Sequence, residues 1–218
     1  MKKLIYNKVD KAMISRLKRV DFYGKIFVVK SPVEAEHAVD YLLSQPVLGF
    51  DTETRPAFEK GKHYHCALLQ VSTHTECFLF RLNMIGLCPA VVRLLRDTQV
   101  TKVALAWNND MIALRELGSF QPGRFIDLQD IVRELGIEDQ SLVKIYANLF
   151  GERISKTERL SNWERRELKE SQMEYAAIDA WACVRIYKEV NRLLATHEYE
   201  LVVRPDENKN RKDETSLS

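Results

Sequence analysis

Three strand-like segments follow one another along the chain with no helical pattern between them, and this order constrains the fold most strongly. The segments are VLGFDTET (47–54), CALLQVST (66–73) and ECFLFRL (76–82). Each is a short apolar run rich in β-branched and aromatic residues, which is typical of a strand. A short polar turn around His74 and Thr75 separates the last two segments, so we expect an antiparallel hairpin there. Together the three segments predict an antiparallel β-meander.

The hydrophobic period changes on both sides of this meander, where strands alternate with helices. Before it, KIFVVK (25–30) predicts a strand, and Ser31 followed by Pro32 is typical of the start of a helix. After it, the predicted elements are a helix at 90–97, a strand at 101–107, a helix at 109–118 closed by Gly118, a strand and a helix ending at Gly136, a helix at 141–151 and a long helix from about 169 to 195. The sequence therefore predicts an α/β fold, in which helices flank a mixed sheet made of an antiparallel meander followed by parallel strands.

Composition and charge are those of an ordinary globular protein. The 218 residues carry a net charge of +2, and 45% of them are hydrophobic. This balance permits a nucleic-acid partner without demanding one. The start MKKLIYNKVDKAM lacks the apolar block of a signal peptide, and no run approaches the ~20 apolar residues of a membrane span. The four cysteines form no C-x-x-C pair, so we expect reduced thiols in a soluble, cytoplasmic protein.

We expect three regions along the chain: an N-terminal extension (1–24), one folded domain (25–203) and a polar tail (204–218). The tail contains one apolar residue, Leu217, and no aromatic residue. Such a segment cannot bury enough apolar surface to order itself, so we predict that it is disordered. Within the domain, the polar stretch TRPAFEKGKHYH (54–65) predicts an exposed loop.

Two carboxylates end the first strand of the meander. Asp51 and Glu53 are two residues apart, and side chains two apart in a strand point to the same face. Neighbouring anions repel each other, so their pairing needs a reason. A bound cation is such a reason, although one pair of acids does not establish it.

Two further acids stand out. Asp110 follows the predicted strand 101–107 at the sheet edge where ligands of α/β proteins commonly bind, although an Asp at a helix start is usually a cap or a partner of the helix dipole. Asp179 lies within the long helix, in an apolar stretch where an Asp is disfavoured. Tyr175 precedes it by four residues and therefore lies on the same helical face. A buried acid of this kind needs a charged or metallic partner.

Other metal and phosphate motifs do not match the sequence. An EF-hand beginning at Asp51 would have Arg55 and Pro56 at positions that require an oxygen ligand and a glycine. His63 and His65 have no further ligands at zinc spacing, so we expect solvated histidines. The chain contains neither a G-x-x-x-x-G-K-[ST] loop nor a G-x-S-x-G elbow.

The ordered set of D-x-E on a strand, then Asp110, then Y-x-x-x-D resembles the DEDD superfamily of 3′→5′ exonucleases. The tyrosine points to the DEDDy branch, which includes ribonuclease D and the Werner-syndrome exonuclease domain. LSNWERRELKESQMEYAAIDAWACVRIY (160–187) resembles the last motif block of that branch. The middle segment AWNNDMIAL lacks the histidine that some relatives carry before the aspartate. The resemblance covers roughly residues 25–195 and implies an RNase H-like fold.

The resemblance also implies a mechanism with two divalent ions, Mg²⁺ or Mn²⁺, and nucleoside 5′-monophosphates as products. By this resemblance Asp51 bridges both ions, Glu53 and Asp179 complete one site, and Asp110 holds the other ion through water. Tyr175 orients the attacking water, although a tyrosine at this place can also be a core residue that caps a polar network.

Basic residues cluster before the last helix. Arg153, Lys156 and Arg159 are either a solvated face or contacts to a phosphate backbone. Trp163 is either a packing residue or a stacking platform for a base.

Other functions stay open from the residues alone. One alternative is a catalytically silent module of the same fold that binds nucleic acid or a protein, and another is a phosphoesterase for small nucleotides. Ribonuclease D relatives carry extra helical domains after the nuclease domain and this chain shows a polar tail, so we expect DNA rather than RNA as substrate.

Overall fold

The computed structural model describes residues 2–205. The strands in this part of the chain are β1 (Lys3–Tyr6), β2 (Lys18–Arg19), β3 (Lys25–Val29), β4 (Val47–Thr54), β5 (Cys66–Ser72), β6 (Glu76–Phe80), β7 (Thr101–Ala104), β8 (Phe125–Asp127), β9 (Glu152–Arg153) and β10 (Tyr199–Val202). The helices are α1 (Lys11–Ser15), α2 (Pro32–Leu42), α3 (Leu82–Ile85), α4 (Pro89–Arg96), α5 (Trp107–Arg115), α6 (Leu128–Glu134), α7 (Leu142–Phe150) and α8 (Glu170–Thr196). From residue 206 onward, the predicted tail lies outside the described residues.

The central sheet has six strands in the spatial order β3-β6-β5-β4-β7-β8. β4, β5 and β6 pair in antiparallel order, and β7 and β8 run parallel to β4. The predicted mixed sheet, with its hairpin between β5 and β6, is therefore confirmed. β3 pairs in parallel with β6 at the far edge, and the sequence pattern did not indicate this partner.

Helix ends follow the local chemistry of the sequence at three predicted places. The Ser31 side chain accepts a hydrogen bond from the backbone N–H of Glu34, and the Glu34 carboxylate accepts one from the backbone N–H of Ser31. Pro32 is the first residue of α2. The predicted start at Ser31 and Pro32 is confirmed, and Glu34 completes a capping box that was not predicted. Gly136 and Gly151 adopt positive φ angles of 83° and 65° after α6 and α7, a conformation that glycine adopts without strain.

The predicted bounds around α5 were wrong at both ends. The strand ends at Ala104 rather than at Trp107, and the helix already begins at Trp107. The carboxylate of Asp127 accepts hydrogen bonds from the backbone N–H groups of Ala106 and Trp107, both at 3.0 Å, and this fixes the earlier start. At the other end, Glu116 rather than Gly118 is the C-cap residue.

Four short strands were not predicted. β1 pairs in parallel with β10, and β2 pairs in parallel with β9. These pairings bring both ends of the described chain against the layer of α6, α7 and α8, where Ile5 is fully buried. Strands of two to four residues are too short to show a clear hydrophobic period.

The sheet lies between two helical layers. Leu48 and Phe50 pack into a core with α2, α4 and α5, whereas Val47 packs into a core with α6, α7 and α8. Gly49 lies against α8 so closely that a Cβ atom would stand 1.9 Å from the carbonyl oxygen of Ala180. Because β4 and α8 meet at backbone contact, the acids at the end of β4 come next to the middle of α8.

The four cysteines are free and buried, consistent with the expected reduced thiols. Among the described residues, no helix combines the length and apolarity that crossing a membrane requires.

Candidate active site

Three of the predicted acids meet where β4 and α8 face each other. Carboxylate oxygens of Asp51, Glu53 and Asp179 lie within 4.8 Å of one another, and we call these three residues the acidic centre. Asp51 and Glu53 share one face of β4, as the alternation of side chains in a strand predicts. The pairing of β4 with β5 becomes irregular between Glu53 and Thr54, so the strand bends directly after the second acid.

The surroundings of the acidic centre disfavour its negative charge. Burial, followed by the charges of Asp179 and Asp110, raises the pKa of Glu53 to about 9. Burial also raises the pKa of Asp179 to about 7, although a hydrogen bond from Tyr175 opposes this shift. The pKa of Asp51 is raised by burial and then by the charges of Asp110, Asp179 and Glu53. The ionised form of these carboxyl groups is therefore unfavourable unless a positive charge lies close to them.

The donor set fits a divalent cation. Carboxylate oxygens are the ligands that Mg²⁺ and Mn²⁺ prefer, and three of them converge here from two rigid elements. A cation among them would replace the water that burial removes and would cancel the repulsion between them. The acidic centre therefore has the chemistry of a metal site for a hard divalent ion.

Asp110 lies near the acidic centre but outside this group of three. It is the fourth residue of α5, and its carboxylate accepts a hydrogen bond from the Thr52 hydroxyl. Burial raises its pKa to about 6, and its charge in turn raises the pKa of Asp51. Asp110 is not the N-cap residue of α5, which is Ala106, but it lies in the first turn, where a carboxylate also interacts favourably with the helix dipole.

Tyr175 stands one helical turn before Asp179 and is 9% exposed. Its ring centroid lies 6.0 Å from that of Trp163, so the ring is held in place by packing. Burial, followed by the charges of Asp179, Glu53 and Asp51, raises the pKa of the Tyr175 hydroxyl far above its usual range. The hydroxyl therefore keeps its proton and can serve as a hydrogen-bond donor.

The basic residues that the sequence suggested divide into two groups. Lys156 and Arg159 are exposed, and their charges oppose the pKa shifts of Asp179 and Glu53 respectively, which places both beside the acidic centre. Arg153 belongs to β9, and its Nε atom donates to the Leu17 carbonyl at 3.0 Å. This contact gives Arg153 a structural role in holding the N-terminal segment, and its assignment to nucleic-acid binding stays a prediction.

The structure contradicts the assignment of Trp163 to nucleic-acid binding. It is fully buried, and it packs in one cluster with Leu68, Leu79 and Tyr175. A ring without an exposed face cannot stack on a base, so the packing role is the one that the structure supports.

Several residues that the sequence did not indicate hold the site in place. Thr52 binds Asp110, and the Asp127 carboxylate joins the starts of α5 and α6 by also accepting from Gln129 at 2.9 Å. Arg81 is fully buried, and its guanidinium donates to the carbonyl oxygens of Arg165 and Arg166, which anchors the connector before α8. An arginine at the end of the apolar strand ECFLF was the available signal for this contact.

A second group of metal-type side chains lies outside the acidic centre. His63 and His65 are exposed, as expected, but Glu116 approaches both of them from the end of α5. The sequence suggested no further ligand, because Glu116 is more than fifty residues away along the chain. The expected exposure of the histidines is confirmed, and Glu116 is a further ligand that the sequence did not suggest.

The sequence of this chain is similar to that of known proteins. Residues 26–195 match a protein-family model described as 3′-5′ exonuclease. The mouse bifunctional 3′-5′ exonuclease/ATP-dependent helicase WRN is 28% identical over 168 residues, which are 74% of this chain and 12% of that protein. Exonuclease 3′-5′ domain-containing protein 2 of Drosophila melanogaster is 35% identical over 150 residues, which are 67% of this chain and 25% of that protein. The chain thus spans a quarter or less of the length of these relatives.

Solved structures share the fold. The Nibbler EXO domain of Aedes aegypti has a TM-score of 0.72 at 21% identity, covering 85% of this chain and 95% of that one. RNase D of Trypanosoma brucei in complex with RNA U12 has a TM-score of 0.65 at 20% identity, and the match covers 90% of this chain and 76% of that one. NrnC of Brucella melitensis with bound Mg²⁺ has a TM-score of 0.59 at 18% identity, covering 82% and 85%. These likenesses confirm the RNase H-like fold.

Proposed function

This chain belongs to the 3′-5′ exonuclease family, and we propose that it hydrolyses phosphodiester bonds of nucleic acid from the 3′ end with divalent metal ions. The products are nucleoside 5′-monophosphates. The observation that carries the proposal is the convergence of Asp51, Glu53 and Asp179 beside the protonated hydroxyl of Tyr175. The match of residues 26–195 to the family model supports it across the whole length of the site.

The acidic centre would hold the metal. Asp51, Glu53 and Asp179 supply oxygen ligands that lie within 4.8 Å of one another, and Asp110 adds a fourth carboxylate from α5. Two divalent ions, when bound, neutralise charge on the attacking and leaving oxygens of a phosphodiester. NrnC, which has a related fold, was solved with bound Mg²⁺, and this supports a hard divalent ion as the cofactor.

Tyr175 would position the attacking water. Its raised pKa keeps the hydroxyl protonated at neutral pH, so it can donate a hydrogen bond but cannot act as a base. The helix holds the hydroxyl one turn from Asp179, and the neighbouring Trp163 ring restricts its movement. A fixed donor of this kind orients a water molecule for in-line attack.

Lys156 and Arg159 would contact the substrate backbone. Both side chains are exposed, and their charges reach Asp179 and Glu53. Phosphates close to the acidic centre would otherwise meet only negative charge on these carboxylates, so positive side chains at the same opening favour binding.

An end-labelling assay tests the proposal. Oligonucleotides labelled at the 5′ end and at the 3′ end are incubated with the protein in Mg²⁺, Mn²⁺ or EDTA. We expect a ladder from the 5′-labelled strand and early release of a mononucleotide from the 3′-labelled strand, with no reaction in EDTA. Full activity in EDTA, products with a 3′-phosphate, or binding without cleavage would contradict the proposal, and the last result would indicate a silent binding module.

Matched DNA and RNA strands in the same assay decide the substrate. The sequence predicts faster degradation of DNA. The relative of known structure with RNA U12 bound is an RNase D, so RNA is the informative competitor. Cleavage of RNA at the higher rate would reverse the predicted preference and leave the exonuclease proposal intact.

A further inference from the structure

His63, His65 and Glu116 form a compact group on the surface, which we call the histidine cluster. The Oε2 atom of Glu116 lies 2.9 Å from Nε2 of His63 and 3.4 Å from Nδ1 of His65. The two imidazole rings stand at 89° to each other, with centroids 5.4 Å apart. Two ring nitrogens from one loop therefore face a single carboxylate oxygen from a different element.

These distances are close to those that zinc imposes on its ligands. Zinc bound to histidine nitrogen and carboxylate oxygen at ~2.0–2.2 Å in a tetrahedron separates the ligand atoms by roughly 3.3–3.6 Å. One ligand atom of each of the three residues already lies within 4.8 Å of the others. Side-chain adjustments of a few tenths of an ångström to about one ångström are therefore sufficient, and exposed side chains can make them.

We propose that the histidine cluster binds one zinc ion, separately from the acidic centre and in addition to the metal ions of the proposed exonuclease reaction. Two histidines and one glutamate are a recurrent three-ligand set for zinc, with water in the fourth position. Imidazole ligands select zinc over magnesium, whereas an all-carboxylate group favours magnesium or manganese. The two groups therefore differ in the metal that they select.

A zinc ion here would join two parts of the molecule that carry site residues. Residues 55–65 form no helix or strand and follow directly on β4, which carries Glu53 and ends at Thr54. Glu116 is the C-cap residue of α5, and Asp110 lies in the first turn of the same helix. The loop also contacts the connector before α8, where Arg55 lies 3.3 Å from Glu164. The ion would be a clamp that holds the loop to the end of α5.

Zinc binding is tested by titrating ZnCl₂ into the Asp51→Asn/Asp179→Asn protein, in which the acidic centre no longer competes. We expect one zinc ion per chain in isothermal titration calorimetry. His63→Ala or Glu116→Gln in this background should weaken binding by at least ~10-fold, the loss already seen for outer-shell partners of metal ligands. His37→Ala, an exposed histidine on α2, is the matched control and should bind zinc unchanged. Failure to bind zinc, or binding that survives His63→Ala and Glu116→Gln, would overturn the proposal.

Limited trypsin digestion provides a readout that does not depend on catalysis. Lys60 and Lys62 are exposed in the loop beside the cluster. Zinc should slow cleavage at these lysines in the chain with an intact cluster and should have no effect in the His63→Ala/His65→Ala variant. Equal protection in both proteins would contradict the clamp. The wild-type exonuclease assay in Mg²⁺ is separate, so its failure would not affect this result.

Discussion

The acidic centre and the histidine cluster are both groups of three metal-type side chains, but they occur in opposite environments. The acidic centre is held by β4 and α8, and burial raises the pKa of its carboxyl groups. The histidine cluster is exposed, and hydrogen bonding to His63 lowers the pKa of Glu116. The charges of the acidic centre are therefore unfavourable without a cation, whereas the hydrogen bonds within the histidine cluster satisfy its polar groups without one. Metal removal should therefore affect the two groups differently.

The largest contrast is expected in activity. Asp51→Asn and Asp179→Asn should each lower kcat by roughly 10³-fold or more in Mg²⁺, because each removes a ligand and a charge from the proposed metal site. His63→Ala should leave the rate within about twofold, since a surface substitution away from the reacting atoms has little effect on the chemistry. Steady-state kinetics on a 5′-labelled strand measures both. Asp130→Asn, an exposed aspartate on α6, is the control for a simple loss of charge.

Tyr175→Phe should have the next largest effect. Loss of the hydroxyl should slow the chemical step by roughly 10–10³-fold and leave nucleic-acid affinity nearly unchanged, because the ring still packs beside Trp163. Single-turnover kinetics with filter binding separates the two quantities. A variant with normal chemistry and weak binding would assign Tyr175 to substrate contact instead.

Gly49→Ala tests whether the contact of β4 with α8 assembles the acidic centre. The new Cβ atom would lie 1.9 Å from the Ala180 carbonyl oxygen, so the helix must shift and the protein should lose ~1–3 kcal/mol of stability. Asp179 moves with the helix, so activity should fall as well. Gly118→Ala is the matched control, because its Cβ would meet Leu87 at an ordinary 3.5 Å. Urea unfolding of both variants should show a marked loss for Gly49→Ala alone.

Stability without metal should depend on pH through the acidic centre. Because the pKa of Glu53 is raised to about 9 and that of Asp179 to about 7, the folded protein holds protons that the unfolded chain loses near pH 4. The free energy of unfolding in EDTA should therefore be greatest at acid pH and fall as pH rises from about 4 towards 9. Asp51→Asn should make this decrease smaller. Its free energy of unfolding at neutral pH should be ~0.5–2 kcal/mol higher than that of the wild type.

Addition of Mn²⁺ provides a second test of the charge repulsion in the acidic centre. It should stabilise the wild type at neutral pH, since a ligand that binds only the folded state adds stability, ~2.7 kcal/mol at 100 times its Kd. Mn²⁺ should stabilise the Asp51→Asn variant less, because this variant has lost a metal ligand. Thermal melts in EDTA and in Mn²⁺ give both numbers. If the Asn variant melted lower than wild type in EDTA, the carboxylates would be satisfied structural groups and the description of repelling charges would be wrong.

The smallest effect is expected at the histidine cluster. His63→Ala in EDTA should change stability by no more than about 0.5 kcal/mol at neutral pH, because exposed ion pairs contribute little. With zinc present, the wild type should melt higher and the variant should not. A large loss of stability in EDTA would indicate that the hydrogen bonds to Glu116 are themselves structural.

Prediction from sequence succeeded where the determining interactions are local. The helix start at Ser31 and Pro32, the alternation in β4 and the four-residue spacing of Tyr175 and Asp179 all depend on neighbouring residues. The start of α5 was predicted wrongly because it depends on Asp127, which lies about twenty residues further along the chain. Burial of Trp163 likewise depends on strands and a helix from other parts of the sequence.

The sequence alone determined that Asp51 and Glu53 share a strand face and that Tyr175 and Asp179 share a helix face, because the periods of strand and helix are set by the backbone. Only the tertiary structure decided that these two faces meet, since this requires the close approach of Gly49 to Ala180. The same holds for the hydrogen bond between Thr52 and Asp110 and for the approach of Glu116 to His63. Such contacts join residues far apart in the chain, and no local period records them.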